Sequence, residues 1–390
     1  MGLRDGYKQT EVGVIPQTWC VKPLFMLSTE IGDGIHSTPK YVKSSEFHFV
    51  NGNNLVSDHI SITDSTMRIS ECEFKALRKN LTDKTLLLSI NGTIGNLAFY
   101  NGEQIVLGKS AAYINVMKCV SRQFISYCLK SRPTSLFFDN ELTGTTIRNL
   151  SLQSLRNTPI PLPPTLTEQH AIAEALSGVD ALLGALGRLI AKKRDLKQAA
   201  MQQLLTGQTR LPGFHGEWEV KRLGDVVQIQ KGQLITSSTL SPGNVPVIAG
   251  GKQPAYFHAT ANRFGRTVTI SASGASAGYV ALYKEPIFAS DCSTIGEGKH
   301  YSLDFFFYQL QCKQQSIFKA QTGGAQPHIH AKDLNPIPFS IPPLPEQTAI
   351  AKVLSDMDTE LSALEQRRRK TRDLKQAMMQ ELLTGRIRLV

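Results

Sequence analysis

Cysteine is scarce in this sequence, and its spacing fits none of the usual cysteine chemistry. The six cysteines form no C-x-x-C pair, and none lies near a histidine at the spacing of a zinc site. This pattern excludes a cysteine-based zinc site. We expect reduced thiols that mostly fill the core of a cytoplasmic protein.

Long apolar runs are also lacking. None approaches the ~20 residues that a membrane-spanning helix needs, and Met1–Pro16 lack the apolar segment of a signal peptide. No low-complexity tract is present, and 41% of the residues are hydrophobic, which argues against a disordered chain. We therefore expect a soluble, cytoplasmic protein of two domains that does not contact a membrane.

Basic residues exceed acidic ones. The chain has 43 Lys and Arg against 32 Asp and Glu, which gives a net charge of +11. A positive field of this size attracts polyanions such as nucleic acid. The same excess also fits ordinary solubility charge, and composition alone leaves both interpretations open.

A long internal repeat organises the chain. Glu168–Leu211 and Glu346–Leu389 align without a gap, and about 26 of their 44 positions are identical. The offset between the copies is 178 residues, the length of a whole domain plus a helix, so the repeat is not of the short solenoid type. It indicates a duplicated half-molecule with pseudo-two-fold symmetry.

Both copies of the repeat predict a long helix. Proline-rich segments, Asn157–Pro164 and Asn335–Pro343, lead into them and favour an extended backbone. We predict helices over about Leu166–Thr206 and Leu344–Thr384, each followed by a glycine. Because one long apolar stripe needs a long partner, we expect the two helices to pair in antiparallel orientation. The predicted seam, with heptad-like spacing, consists of Ile172, Leu176, Val179, Leu183, Leu186, Ile190, Ile350, Leu354, Met357, Leu361 and Leu364.

The two remaining segments share little identity, and both contain short β-type runs such as Thr85–Ile90 and Thr267–Ile270. Helical patterns occur at Arg122–Ser131 and Leu303–Gln315. The predicted fold class is α+β, with two mixed α/β domains related by pseudo-two-fold symmetry and separated by a coiled coil of two long antiparallel helices. We place the first domain at 1–157, the first helix segment at 158–211, the second domain at 212–335 and the second helix segment at 336–390.

Small polar loops occur at matching positions in the two domains. A glycine-containing loop joins two strands near residues 88–96 and again near 270–279, and a second such loop lies at 143–148 and 322–328. Glycine permits close approach of a ligand, and short polar side chains supply hydrogen bonds. One such loop is typical of an ordinary hairpin, but matching positions in two diverged domains favour a shared ligand-binding face.

No catalytic motif is complete. Gly102–Ser110 has five residues between its glycines where a P-loop has four. Asp291, Glu297 and Lys299 resemble a nuclease triad, but the carboxylates are six residues apart in a glycine-rich stretch. His328 and His330 have no visible third metal ligand. We expect a non-catalytic protein that holds no metal.

The order of diverged domain, duplicated helix, diverged domain and duplicated helix resembles the specificity subunit of Type I restriction-modification enzymes. Both helix copies carry EQxAIAxxLSxxDxxL and RDLKQAxMQxLLTG. Tyr7–Trp19 is similar to the family's usual opening, Gly213–Trp218 to the usual beginning of the second domain, and Asp33–Tyr41 to a loop of many first domains. The resemblance covers essentially the whole chain.

The resemblance implies that each target-recognition domain reads one half of a split double-stranded DNA site, with the helix pair setting the distance between them. It implies two methyltransferase subunits and motor-nuclease restriction subunits as partners. S-adenosylmethionine would be bound by the methyltransferase, and this chain would bind no cofactor. The resemblance does not identify the bases that are read.

Loop position and side-chain chemistry predict the residues that contact DNA. The expected readers of base edges are Asn91, Thr93, Gln253, Ser273 and Gln326. The expected phosphate contacts are Lys40, Lys109, Arg148, Lys231 and Lys252. The predicted set also contains His36, Thr38, Tyr41, Thr145, Ser276 and His328.

Two other functions remain open at this point: a scaffold that binds proteins without DNA specificity, and a stand-alone nuclease. The basic runs Lys192–Arg194 and Arg367–Lys370 fit a DNA contact, a methyltransferase contact or a solvated helix face.

Overall fold

The chain forms two compact units in a computed structural model that describes residues 5–144, 148–323 and 327–389. Unit 1 consists of residues 1–185 and 368–390, and unit 2 consists of residues 186–367. Both boundaries lie inside long helices, so each unit contains one diverged domain and parts of both helix segments. The domain boundaries predicted from the sequence divide the chain differently and stay a prediction.

Unit 1 contains the first fourteen strands and the first part of a long helix. Its strands are β1 (Tyr7–Thr10), β2 (Gly13–Pro16), β3 (Cys20–Pro23), β4 (Ser28–Asp33), β5 (Tyr41–Val42), β6 (Phe47–Val50), β7 (Leu55–Val56), β8 (His59–Ile60), β9 (Arg68–Ile69), β10 (Thr85–Ser89), β11 (Leu97–Phe99), β12 (Ile105–Leu107), β13 (Ala111–Val116) and β14 (Pro159–Leu162). Its helices are α1 (Glu71–Leu77), α2 (Arg122–Leu129), α3 (Arg132–Glu141), α4 (Leu152–Arg156), the first part of α5 (Leu166–Leu204) and the last part of the second long helix, α10 (Leu344–Leu382).

The central sheet of unit 1 has the strand order β11-β10-β13-β4, and all its pairs are antiparallel. β10 and β13 are buried at every residue, which explains why most of their residues are apolar. A smaller sheet has the order β12-β6-β9-β5 and includes the parallel pair β12–β6. The main core packs α2 and both long helices against the central sheet, with Trp19, Phe124, Leu176 and Leu382 among its members.

Unit 2 repeats this plan with fewer strands. Its strands are β15 (Glu219–Arg222), β16 (Ile229–Lys231), β17 (Val245–Ile248), β18 (Tyr256–His258), β19 (Thr267–Ser271), β20 (Val280–Tyr283), β21 (Phe288–Ala289), β22 (Cys292–Ile295) and β23 (Pro338–Ile341). Its helices are the last part of α5, α6 (Leu223–Val226), α7 (Leu303–Cys312), α8 (Gln314–Lys319), α9 (Ala331–Leu334) and the first part of α10 (Leu344–Leu382).

The central sheet of unit 2 has the order β20-β19-β22-β16, which matches β11-β10-β13-β4 strand for strand, and all its pairs are antiparallel. Beside it, β17 pairs in parallel with β21, as β6 does with β12. The predicted strands at Thr85–Ile90 and Thr267–Ile270 are confirmed, and so are the predicted helices that became α2 and α7.

The two long helices were predicted almost to their ends. α5 and α10 each end two residues before the predicted position. Gly207 and Gly385 follow with φ values of 73° and 67°, a left-handed conformation that glycine adopts without strain and that commonly follows a helix. The proline-rich lead-ins form strands, because β14 pairs with β3 and β23 pairs with β15.

Every residue of the predicted seam is buried or half-buried. In unit 1, Ile172 and Leu176 lie in the domain core together with Leu382 and Leu383 from the end of α10. In unit 2 the equivalent Ile350 lies in a core with the end of α5. The first turns of the seam therefore contact a domain as well as the other helix. A role of the whole seam in partner binding stays a prediction.

The prediction that the cysteines mostly fill the core is wrong. Cys128 and Cys292 are buried, whereas the other four, Cys20, Cys72, Cys119 and Cys312, are exposed, and all six are free thiols. Burial raises the pKa of the Cys292 thiol to about 12, so this thiol stays protonated. Within the described ranges no helix is long and apolar enough to span a membrane. The same residues contain no group of three His, Cys, Asp or Glu side chains that could hold a metal ion.

Candidate nucleic-acid interface

A buried carboxylate lies at the start of each long helix. Glu168 in α5 accepts two hydrogen bonds from the guanidinium of Arg388, at 2.7 and 2.8 Å. In unit 2, Glu346 in α10 accepts the same pair from Arg210, at 2.5 and 2.6 Å. A carboxylate removed from water needs such a bidentate partner. Each arginine therefore holds the segment that follows one long helix against the start of the other.

The next residue connects the helix with the domain. Gln169 Oε1 accepts a hydrogen bond from the backbone N–H of Ser121, the residue that caps α2, at 3.0 Å. In unit 2, Gln347 Oε1 accepts one from the backbone N–H of Ser302, which caps α7, at 2.9 Å. Both glutamine side chains are buried, so each domain helix begins at a fixed position against its long helix.

A third contact joins the domain and both long helices. In unit 1, Tyr127 donates its phenolic hydrogen bond to Asp180 at 2.9 Å, and Lys375 Nζ lies 2.6 Å from the other oxygen of that carboxylate. We term these three residues the domain clamp of unit 1. Its members come from α2, α5 and α10, so the clamp connects three separate elements.

Unit 2 contains an equivalent domain clamp. Tyr308 in α7 donates to Asp358 at 2.8 Å, and Lys197 Nζ lies 2.5 Å from the second carboxylate oxygen. Burial is the larger cause, and the hydrogen-bonded carboxylate the smaller one, that raises the pKa of Tyr308 well above its usual range. The same two causes raise the pKa of Tyr127 in unit 1. The phenols therefore stay protonated and remain hydrogen-bond donors.

These contacts explain why the repeat is so well preserved between the two copies. Within each unit the helix segments run in opposite directions, since partner numbers fall along one segment as they rise along the other. The residues that form the contacts are identical in both copies at an offset of 178: Glu168 and Glu346, Gln169 and Gln347, Asp180 and Asp358, Lys197 and Lys375, Arg210 and Arg388.

At one edge of the central sheet of unit 1, several loops meet. They follow β4 and β10 and precede β11 and β13. Gly92 N–H donates to the carbonyl of Arg148 at 3.0 Å, and Asn91 Nδ2 donates to the carbonyl of Lys109 at 3.1 Å. We term the described residues of 34–40, 51–54, 90–96, 108–110 and 142–150 loop cluster 1.

Loop cluster 2 occupies the same edge of the central sheet of unit 2. It comprises the described residues of 232–236, 249–253, 272–278, 290–291 and 321–330. Gly274 N–H donates to the carbonyl of Pro327 at 3.0 Å, and the hydroxyl of Ser273 donates to the carboxylate of Asp291. Lys252 Nζ lies over the ring of Tyr279, 5.6 Å from its centroid.

The two clusters share one backbone framework. In both, the residue after the second central strand is bonded to the loop before the third strand and to the loop near the domain end. Four backbone hydrogen bonds of unit 1 each have an equivalent in unit 2, and all are between 2.8 and 3.1 Å long. In unit 1, written from N–H to O=C, they join Ile90 to Ser110, Leu150 to Ile90, Gly92 to Arg148 and Asn149 to Thr143. In unit 2, in the same order, they join Ala272 to Asp291, Ile329 to Ala272, Gly274 to Pro327 and His328 to Thr322. This framework fixes which side chains occupy the same place in the two units.

A glycine lets the first loop of each cluster approach its neighbour. A Cβ at Gly34 would collide with the backbone carbonyl of Leu107, and one at Gly232 would collide with that of Ser290. The close approach is secured by hydrogen bonds from the following residues, Ile35 N–H to Leu107 at 2.7 Å and Gln233 N–H to Ala289 at 2.9 Å.

The structure brings most of the predicted DNA contacts into these clusters. Loop cluster 1 contains His36, Thr38, Lys40, Asn91, Thr93, Lys109 and Arg148, and loop cluster 2 contains Lys252, Gln253, Ser273, Ser276 and His328. Tyr41 and Lys231 lie on strands directly beside them. Thr145 and Gln326 lie outside the described residues. Asn91, Ser273, Ser276 and His328 are half-buried and the others are exposed.

The exposed cations give loop cluster 1 a positive surface. Lys40, Lys109 and Arg148 are all exposed, and His36 Nε2 lies 2.8 Å from a carboxylate oxygen of Asp33. Exposed lysine and arginine side chains beside half-buried amides and hydroxyls suit a ligand that carries both phosphates and base edges. Contact of these residues with DNA stays a prediction.

Sequence reasoning missed some members of the framework. Asn51 and Ser110 were not predicted, although Ser110 Oγ accepts from Gly52 N–H and donates to Asn51 Oδ1, both at 2.9 Å. Asp291 entered only as part of a possible nuclease triad. The sequence signal that could have identified Asp291 is its position directly before a buried strand, which is also the position of Ser110.

The nuclease-like residues are not brought to one place. Asp291 precedes β22 and accepts a hydrogen bond from Ser273, whereas Glu297 follows β22 and lies 3.9 Å from Arg266. Because a strand advances by about 3.3 Å per residue, the two carboxylates lie at opposite ends of β22 and cannot share one metal ion.

Comparison with known proteins identifies the family. The model of the Type I restriction modification DNA specificity domain matches residues 39–192 and 215–372, which is most of the chain. The chain belongs to this family. The resemblance drawn from the duplicated helix is thereby confirmed, and the two matches agree with a duplicated specificity domain.

Two relatives of this specificity subunit come from Methanocaldococcus jannaschii. The Type I restriction enzyme MjaVIII specificity subunit is 24% identical over 351 residues, covering 79% of this chain and 82% of the relative. The putative Type I restriction enzyme MjaX specificity subunit is 26% identical over 426 aligned residues, covering 99% of this chain and 97% of the relative.

Solved structures of specificity subunits share the fold. The S subunit of a Type I restriction-modification system from M. genitalium aligns with a TM-score of 0.66 and 19% identity, over 98% of both chains. A chain from a structure described as showing complex assembly and conformational transition of the Type I restriction-modification system aligns with a TM-score of 0.59 and 17% identity, over 96% of this chain and 99% of the other. The mixed helix and strand content predicted from the sequence agrees with these structures.

Proposed function

We propose that this specificity subunit reads a bipartite DNA site, with loop cluster 1 at one half-site and loop cluster 2 at the other. The observation that carries the proposal is the shared backbone framework with different side chains at equivalent positions. Base pairs differ in the donors and acceptors that they present in the major groove. Two clusters with the same backbone and different chemistry therefore suit two different half-sites.

We assign the contacts by side-chain chemistry and, for the described residues, also by exposure. Phosphates are held by the exposed Lys40, Lys109, Arg148, Lys231 and Lys252, and base edges are read by Asn91, Thr93, Gln253, Ser273 and Gln326. The remaining predicted residues, His36, Thr38, Tyr41, Thr145, Ser276 and His328, adjust the loops or add contacts. Phosphate contacts position the protein, whereas base contacts set the sequence that is read.

In this proposal α5 and α10 form a coiled-coil spacer between the half-sites. Each helix has 39 residues, or about 58 Å at about 1.5 Å per residue, against about 34–36 Å for one turn of DNA. A rigid helical spacer holds such a distance better than a flexible linker does. The segments 158–211 and 336–390 would then be the spacer and 1–157 and 212–335 the readers.

We propose that two methyltransferase subunits bind the repeated segments, and that restriction subunits join this complex in the cytoplasm. Leucines support such docking because they are exposed at equivalent positions of the repeat: Leu166 and Leu344 are both 37% exposed, and Leu196 and Leu374 are 48% and 56% exposed. Equivalent exposed apolar residues suit two copies of one partner. S-adenosylmethionine would be bound by the methyltransferase and not by this chain.

A domain exchange tests the function. Residues 19–157 are replaced by the equivalent domain of another specificity subunit, the chain is co-expressed with its methyltransferase subunits, and modified sites are mapped by methylome sequencing. We expect one half of the methylated motif to change and the other half to stay. Equal insertions in α5 and α10 should change only the gap between the halves.

The alternatives give different results. A scaffold without DNA specificity would yield no enriched motif in selection from random DNA, even with the methyltransferase present. A stand-alone nuclease would cut DNA as the purified chain and would lose this activity in Asp291→Ala or Glu297→Ala.

A further inference from the structure

The clearest chemical difference between the two loop clusters lies at one framework position. Ser110 in unit 1 and Asp291 in unit 2 both directly precede the third central strand, and each backbone carbonyl accepts the equivalent hydrogen bond, from Ile90 and Ala272. The same backbone place therefore carries a neutral hydroxyl in one unit and a carboxylate in the other.

The hydroxyl of unit 1 is occupied within the protein. Ser110 Oγ accepts a hydrogen bond from Gly52 N–H and donates one to Asn51 Oδ1, both at 2.9 Å. Both contacts lie inside loop cluster 1, so this hydroxyl serves the loop structure. Ser110 is a poor candidate for reading a base.

The carboxylate of unit 2 has capacity for a further donor. One oxygen of Asp291 accepts the hydroxyl of Ser273, and the residue is half-buried, so it is not fully covered. A carboxylate offers about four acceptor positions, and one serine hydroxyl fills one of them. The bond from Ser273 also fixes the orientation of the carboxylate at the surface of loop cluster 2.

A carboxylate close to DNA is repelled by phosphates and by most base edges. In the major groove guanine presents the acceptors O6 and N7, thymine presents O4, and adenine places its N7 acceptor beside its amino group. Cytosine presents only the N4 amino donor. Of the four bases, cytosine is therefore the one that complements an isolated acceptor.

We propose that Asp291, oriented by Ser273, recognises the exocyclic amino group of a cytosine in the half-site read by unit 2. This rests on the proposed function of loop cluster 2 and adds one residue and one base to it, and Ser273 then takes part in base reading through Asp291, at that same base. His328 faces Ser273 across an antiparallel bridge. It supplies a ring nitrogen that can donate to the guanine of the same base pair. Acceptor and donor together match a C·G pair in one orientation.

Asp291→Asn tests the assignment with little change of shape. The asparagine oxygen still accepts the Ser273 hydroxyl, while the second oxygen becomes an amide donor that conflicts with the cytosine amino group. The full-length chain is co-expressed with its methyltransferase subunits, and motifs are measured by methylome sequencing and by binding to duplexes varied at each position. We expect discrimination at one cytosine of one half-site to fall roughly tenfold. The other half-site should stay unchanged.

A charge-matched control separates recognition from general electrostatics. Glu297→Gln also removes one negative charge from unit 2, but at the far end of β22 and outside loop cluster 2. We expect it to leave the motif unchanged. Ser273→Ala provides a second variant of the same site, with a smaller loss of discrimination at the same cytosine.

The outcomes are distinct. Relaxation at a single cytosine in Asp291→Asn and Ser273→Ala, with none in Glu297→Gln, supports the assignment. An unchanged motif in folded Asp291→Asn, a change confined to A·T pairs, or the same change in Glu297→Gln overturns it. A wild-type complex that yields no motif at all instead refutes the proposed function, and the assignment with it.

Discussion

The domain clamp of unit 2 predicts a local loss of stability when Asp358 is replaced by alanine. The substitution removes the hydrogen bond from Tyr308 at 2.8 Å and the ion pair with Lys197 at 2.5 Å. It also leaves Lys197, whose side chain is only 15% exposed, without its carboxylate. Hydrogen bonds to a charged group contribute about 1.5–3 kcal/mol.

Solvent reduces this value, because the Asp358 side chain is 42% exposed and water replaces part of what is lost. We therefore expect the free energy of local opening to fall by about 2 kcal/mol, which corresponds to about 30-fold faster amide exchange. The effect should be concentrated in α7, the helix that carries Tyr308. Hydrogen-exchange mass spectrometry measures it directly, whereas one melting temperature would mix the two units.

Asp356→Ala is the matched control. Asp356 lies on the same helix two residues earlier and pairs with Lys352 at 2.8 Å, but the two side chains are 66% and 72% exposed. An exposed pair of this kind contributes about 0.3–0.5 kcal/mol, so exchange in α7 should change about twofold or less. Equal exchange in α7 for Asp356→Ala and Asp358→Ala would refute the reasoning. Asp180→Ala should affect α2 of unit 1 and spare α7.

Three other substitutions give separate tests. Arg388→Gln leaves the buried carboxylate of Glu168 without its cation. We expect urea to unfold unit 1 more easily by about 3 kcal/mol, the lower end of the range for a broken buried pair, because the Arg388 side chain is 37% exposed; an unchanged transition would contradict this. The pKa of Tyr308 is raised in the folded state. The protonated phenol therefore contributes its full share to the stability of unit 2 below the ordinary tyrosine pKa of about 10, and this stabilisation is lost as the pH rises above that value. Tyr308→Phe should therefore make unfolding of unit 2 less sensitive to pH between about 10 and 11, as followed by circular dichroism; equal sensitivity in both proteins would count against the assignment. Lys109→Ala should lower the slope of log affinity against log salt by about one without changing the methylated motif, and a changed motif would show that Lys109 reads bases.

The long helices and the central strands could be predicted because their signals are local. A repeat with heptad-like spacing placed α5 and α10 to within two residues at their ends, and short runs rich in Leu, Val, Ile and Thr marked β10 and β19. The spacing shows which face of a helix is buried but not what covers it. The packing of Leu382 into the core of unit 1 therefore could not be predicted from that pattern.

Other features depend on contacts between distant parts of the chain. The parallel pair of β17 with β21 involves strands of four and two residues, which are too short to show a period. The framework that places Asp291 beside Ser273 joins loops whose sequences differ between the units. Cysteine burial was predicted wrongly because it was inferred from averages. Cys119 lies in an exposed turn between β13 and α2, which residue type alone does not reveal.

The composition of unit 1 has a consequence for synthesis on the ribosome. Unit 2 is one continuous stretch, whereas unit 1 needs residues 368–390, which are translated after all of unit 2. Leu382 and Leu383 complete the core of unit 1. The core of the nascent first domain therefore cannot be completed until the second domain has been synthesised. During that time part of its apolar surface is uncovered, and the second domain can fold first.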